Sequence, residues 1–150
     1  DVPSAGLIAK GSPEERGPAA VRRVHRMLEE ASIDDALAAY DKASRTLYHW
    51  PSQPDLHAMI KAFHAKGAER QSVRLMREHC RCFPEASDKM RLKLAQILIN
   101  QCERPTEAAR LLGEAPAGSL SPDLERTRQK LLSKAAAMIE EGVLELEGDD

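Results

Sequence analysis

The sequence predicts an all-α fold, an α-solenoid of about three helix pairs closed by a C-terminal capping helix. Three observations lead to that prediction. Helix breakers fall at helix-length intervals, and the apolar residues between them recur at three and four positions. No stretch alternates apolar with polar residues between hairpin turns, as strands would require. Chemically similar residues also return every 34 to 36 positions, which is two helices apart.

Each element has its own justification. Residues 1–17 are rich in Gly, Pro and Ser and read as a flexible linker, so the chain is expected to be a piece of something larger. Pro18 opens a first helix with Val21, Val24, Leu28 and Ala31 on one stripe. Ser32, with Asp35 three positions on, is a capping signal for the second, which bears Ile33, Ala36, Leu37, Tyr40, Ala43 and Leu47 and stops before Trp50-Pro51. Pro54 starts the third, with Leu56, Met59, Ile60 and Phe63 on one face and Gly67 as the left-handed residue that closes it. The fourth is expected from Glu69 to Cys82, ahead of Pro84, and the fifth from Ser87 to Cys102. Pro105 begins a short sixth that ends by Pro116. Ser121-Pro122 pairs a cap with a first-turn proline, opening the seventh, which runs to Glu141 before Gly142. The helical domain thus spans residues 18–141, and residues 142–150 form an acidic tail.

The repeat emerges when these helices are overlaid in pairs. Ala36, Ser72 and Ala108 stand 36 apart, as do Tyr40, Met76 and Leu112. Leu56, Ile60 and Phe63 reappear 34 residues later as Met90, Leu94 and Ile97. A helix pair cannot bury its own stripe, so stacking the next pair completes the core.

These residues resemble the tetratricopeptide (TPR) family, whose pattern has a small residue, a bulky one four positions on, and a proline after the second helix. Ala36, Tyr40 and Ala43 follow that pattern, and Ser72, Met76 and Pro84 follow it more loosely. Ile60 and Leu94 replace its first-helix glycine, so the chain is described as TPR-like. Three runs are similar to the helical extension of some bacterial rhomboid-type membrane proteases: LHAMIKAFHAKG (Leu56 to Gly67), MRLKLAQILINQCERPTEAARLL (Met90 to Leu112) and the ending IEEGVLELEGDD. The resemblance spans residues 24–150 and implies a membrane-embedded serine protease preceding Asp1, with this segment as its appendage on the cytoplasmic side. Contact with a membrane would then come only through that missing part. The family's G-x-S-G serine context does not occur in this chain, so no catalytic residue is assigned.

Composition narrows the function classes further. A net charge of −2 argues against a dedicated nucleic-acid binder. Eleven Lys or Arg against six acids lie between Lys61 and Arg110, whereas Glu140 to Asp150 holds six acids and no base, which points to a basic face and an acidic tail. Three cysteines make no disulfide framework. The longest apolar run, LAQILI (Leu94 to Ile99), falls far short of the roughly 20 residues a span needs.

The stretch EHCRCFPE, Glu78 to Glu85, concentrates the residues with metal or redox chemistry. On a helix, Cys80 and Cys82 point to nearly opposite sides, and a zinc site would need a second tight ligand pair, whereas His64 and Cys102 are isolated in sequence. Cys80 joins Val73, Met76 and Phe83 in a buried stripe, and Cys82 faces outward. The stretch reads as a helix end, and neither metal nor cofactor is expected.

The candidate binding residues form a basic lane on the first helices of the pairs: His25, His57, Lys61, His64 and Arg91. Such a lane favours a protein partner, an acidic peptide or the chain's own acidic tail. A few exposed charge pairs with modest apolar contact correspond to a Kd on the order of 10–200 μM. The expected function is a non-catalytic interaction module. The alternatives are an RNA-binding helical repeat of the pentatricopeptide kind, a purely structural spacer, and a small metal or thiol enzyme.

Overall fold

Seven α-helices and one 3-10 turn make up the described residues, 13–146, of this computed structural model, with no strand among them. The first twelve residues of the expected linker and residues 147–150 of the expected tail lie outside the described residues. In order, the helices are α1 (Pro13–Glu30), α2 (Ile33–Thr46), α3 (Gln53–Ala65), α4 (Val73–Cys82), α5 (Asp88–Asn100), α6 (Pro105–Gly113) and α7 (Pro122–Glu140). The 3-10 turn Pro84–Ala86 joins α4 to α5. Two compact units divide between Gln71 and Ser72, inside the second of the expected helix pairs.

In the first unit, α1 packs against both α2 and α3. Ser32 caps α2 as its sequence foretold, its Oγ accepting from the Asp35 amide at 3.0 Å. The core joins Val24 and Leu28 of α1, Ala36, Tyr40 and Ala43 of α2, and Leu56, Met59, Ile60 and Phe63 of α3. Each large member contributes about 1.5–3 kcal/mol on burial. Helix α1 begins at Pro13, five residues before the expected start at Pro18, so residues 13–17 are helix rather than linker. Pro18 has no amide hydrogen to donate within that helix. Beside it, the Trp50 indole donates to the Gly17 carbonyl at 2.9 Å and lies against the Tyr40 ring, 5.4 Å between centroids.

Helix α3 closes as predicted. Gly67 adopts φ +74°, its amide donating to His64 O at 3.0 Å, and the Ala68 amide donates to Phe63 O at 2.9 Å. That reciprocal pair is the Schellman arrangement, open to glycine without a Cβ clash.

The second unit is organised around α5, which packs against α4, α6 and α7. Leu92, Leu94, Ala95, Ile97, Leu98 and Ile99 are all buried, so the run LAQILI is a helix wrapped by its neighbours. Helix α4 starts at Val73, after turn residues 69–72, later than the expected Glu69; α6 ends at Gly113, before Pro116 as expected. Across both units the 36-residue overlay is reproduced in burial. Ala36, Ser72 and Ala108 are each 0% exposed, and Tyr40, Met76 and Leu112 are at most 3% exposed.

The α4–α5 junction turns on a buried polar pair that the apolar stripe did not anticipate. His79 and Ser87 are 1% and 0% exposed, with Nδ1 2.8 Å from the Ser87 Oγ. The Ser87 Oγ also lies 2.7 Å from Phe83 O and 3.1 Å from His79 O, so its hydroxyl has two backbone acceptors within reach. Sealed from solvent, this pair fastens the end of α4 to the start of α5. Ser87→Ala is expected to cost about 1–3 kcal/mol in chemical denaturation, whereas Ser44→Ala, at an exposed helix position, costs under about 0.5 kcal/mol. Equal losses would contradict the assigned role of Ser87.

Candidate functional site

Helices α4 and α6 both rest on α5, and between them lies a cleft of about 230 Å³. Leu94 of α5 and Leu111 of α6 supply its apolar lining. Arg77, Cys80 and Arg81 border it from α4, and Glu107, Arg110 and Glu114 from the α6 side. Three arginines therefore face two glutamates.

One of those glutamates is already committed. Arg77 grips Glu107 with both oxygens, Nε to Oε2 at 2.8 Å and a terminal nitrogen to Oε1 at 2.9 Å. Arg104 adds a third donor, Nε to Oε1 at 2.7 Å. Burial pushes the Glu107 carboxyl up, but the hydrogen bonds from Arg77 and Arg104 outweigh it and hold the group below its ordinary value. The carboxylate thus stays charged, and its charge is spent on the clamp.

The amino end of α6 depends on the tail. Arg104, the residue before the helix, supplies no side-chain cap, and Pro105 takes the first turn. Glu145 fills the gap: its Oε2 accepts from the Thr106 amide at 2.6 Å and its Oε1 from the Glu107 amide at 3.2 Å. Arg104 also donates to the Leu146 carbonyl at 2.8 Å. Burial raises the Glu145 carboxyl, while the Thr106 and Glu107 amides and the Arg104 charge bring it below its ordinary value. A carboxylate at a helix amino terminus is favoured by the dipole as well as by those amides.

The thiols differ in setting. Burial pushes the Cys80 thiol up to about 11, only partly offset by the Arg91 charge and a Ser87 hydrogen bond. Cys80 is half-buried at the cleft wall rather than fully enclosed. Cys82 is exposed, as expected, and donates to Glu78 at 3.2 Å; slight burial and that bond raise it too. EHCRCFPE is a helix end followed by the 3-10 turn. Among the described residues no three metal-ligating side chains gather closely enough to hold an ion.

The expected basic lane divides. His57, Lys61 and His64 share α3, with His57 and Lys61 exposed and His64 half-buried. His25 is half-buried on α1, which packs against α3. Arg91 does not belong with them. It is only 6% exposed, in the second unit, where its guanidinium donates to Asp88 at 3.1 Å and to Pro84 O at 2.8 Å. The 34-residue spacing from His57 suggested an exposed side chain, whereas the arginine turns inward onto the 3-10 turn. Sequence reading missed Arg77, Arg104, Glu107, Arg110 and Glu145. A usable signal was present in Arg104-Pro105-Thr106-Glu107, a helix start without a good capping residue beside a chain end rich in glutamate.

No protein-family model matches the chain, nor does any curated protein or any solved structure. No helix among the described residues is long and apolar enough to cross a membrane.

The clamp predicts a pH dependence. Glu107 has its folded pKa depressed, so its stabilisation is complete above the ordinary value of 4.5 and is lost as pH falls through the folded value. Glu107→Gln is expected to lower stability near pH 7 and to flatten the acid limb of a denaturation series below pH 4.5. Parallel acid limbs for parent and variant would contradict the clamp.

Proposed function

We propose that this chain is a non-catalytic helical interaction module that takes acidic peptide segments, with the cleft between α4 and α6 as the point of capture. The arginine rim over an apolar floor is the observation behind this reading. Arg77, Arg81 and Arg110 surround Leu94 and Leu111, and the clamp already neutralises Glu107. At about 230 Å³ the cleft is below the 300–1,000 Å³ typical of small-molecule sites, and it suits one or two peptide side chains. An acidic side chain beside a leucine would satisfy both the rim and the floor.

The repeat is read as TPR-like, and the equal burial of positions 36 apart supports it. As an appendage on the cytoplasmic side of a rhomboid-type protease, such a module would bring a partner to the membrane domain or restrain that domain. The runs from Leu56 and from Met90 support this placement, and the reading frame upstream of Asp1 tests it. His57 and Lys61 of the lane are exposed and form a second basic surface in the first unit.

A fluorescein-labelled peptide of alternating glutamate and leucine tests the cleft directly. Binding is expected with a Kd on the order of 10–200 μM, weakening with salt. Arg110→Glu, an exposed change on α6, is expected to weaken it about fivefold, as reversal of one exposed pair does. Lys61→Glu on α3 is expected to leave it within about twofold. Loss with Lys61→Glu and none with Arg110→Glu would move the site to the lane.

A further inference from the structure

The end of α7 sends the chain onto α6 in a defined way. Gly142 sits at φ +87°, its amide donating to Ile139 O at 3.0 Å, while the Val143 amide donates to Met138 O at 3.2 Å. This second Schellman arrangement ends α7 and turns residues 143–146 toward the amino end of α6. There the segment is held by Glu145 on two amides and by its Leu146 carbonyl on Arg104. Its leucines contribute little, since Leu144 is 86% exposed and Leu146 is 68% exposed. A segment held by polar contacts, with its apolar side chains in water, has little burial to resist detachment.

Its anchor is also the clamp. Arg104 donates through one nitrogen to Leu146 O and through another to Glu107, and Glu107 is gripped by Arg77 at the cleft. From the segment to the cleft rim there are only three linked residues. Its one acid, Glu145, lies on the amino end of α6. Docked, it commits Arg104 and adds negative charge beside the site. Released, it frees one guanidinium nitrogen of Arg104, which keeps its bond to Glu107, and uncaps two helix amides, and these changes favour an incoming acidic group.

We infer that residues 143–146 are a detachable acidic strap that restrains the cleft, so that release of Glu145 from the amino end of α6 raises the affinity of the cleft for acidic peptides. This inference rests on the reading of the cleft as the acidic-peptide site. The mechanism is electrostatic opposition, an acidic group held at the amino end of α6 disfavouring a second one in the cleft to which Arg104 and Glu107 link it.

The test compares three forms of the full protein: the parent, Glu145→Gln, and a chain ending at Val143. The labelled glutamate–leucine peptide is the probe, and circular dichroism confirms the fold of each form. Hydrogen exchange at the Thr106 and Glu107 amides reports whether the strap has left. Both altered forms are expected to exchange those amides faster and to bind about threefold to tenfold tighter than the parent, with a gain that shrinks as ionic strength rises. A synthetic peptide of residues 143–150, added to the shortened chain, is expected to reverse part of the gain. Peptide bound equally by all three forms would overturn the strap and leave the reading of the cleft standing. Unchanged amide exchange in Glu145→Gln would overturn the strap at its anchor. Binding by none of the three would overturn the reading of the cleft, and with it the strap's control over it.

Discussion

A single carboxylate, that of Glu107, joins α4 to the start of α6 in the second unit. It receives three hydrogen bonds from two arginines, one on α4 and one at the start of α6. Helices α4 and α6 each pack on α5, so apolar burial alone fixes each of them to α5 but leaves their separation open. The Arg77–Glu107 pair sets that separation. A solvent-exposed ion pair contributes only about 0–1 kcal/mol, but here the side chains of Arg77, Glu107 and Arg104 are 27%, 19% and 16% exposed. In such a setting, removing one partner costs more than the pair's net worth, because the remaining charges lose water as well as their mate.

The cleft follows from that constraint together with the character of α5. A helix apolar on most sides must be covered on most sides, and α4, α6 and α7 divide that task. Between α4 and α6 the cover leaves a cleft, with the half-buried Leu111 and the buried Leu94 beneath it as a floor and arginines as walls. The tail completes the picture from the other end of α6. A helix whose first residues offer no cap must find an acceptor elsewhere, and Glu145 provides it from across about forty residues of sequence. The clamp and the cap meet at Glu107, whose side chain belongs to one and whose amide belongs to the other.

Much of the fold was legible because its signals are local. Ser32, Ser121, Gly67 and Gly142 act at the helix ends where their chemistry placed them, and the 36-residue overlay of Ala36, Ser72 and Ala108 marks buried positions. The misses share one cause, which is that long-range partners leave no local trace. Pro18 is the natural start of α1, yet the helix continues back to Pro13, with Trp50 bonding the Gly17 carbonyl from 33 residues away. Arg91 has the spacing of a surface residue, yet its guanidinium closes a turn. The clamp joins residues 30 apart, and the cap joins residues 38 and 39 apart. Charge asymmetry carried no signal for the bond actually made, which joins Arg104 to the backbone carbonyl of Leu146.

The most direct measurement of the central claim is to titrate the intact protein with the unlabelled glutamate–leucine peptide and follow each backbone amide by NMR. Shifts are expected to concentrate at Arg77, Leu94, Arg110 and Leu111, with the amides of Thr106 and Glu107 moving as the strap is displaced. Shifts confined to His57, Lys61 and His64 on α3, or no saturable shift anywhere, would contradict that claim.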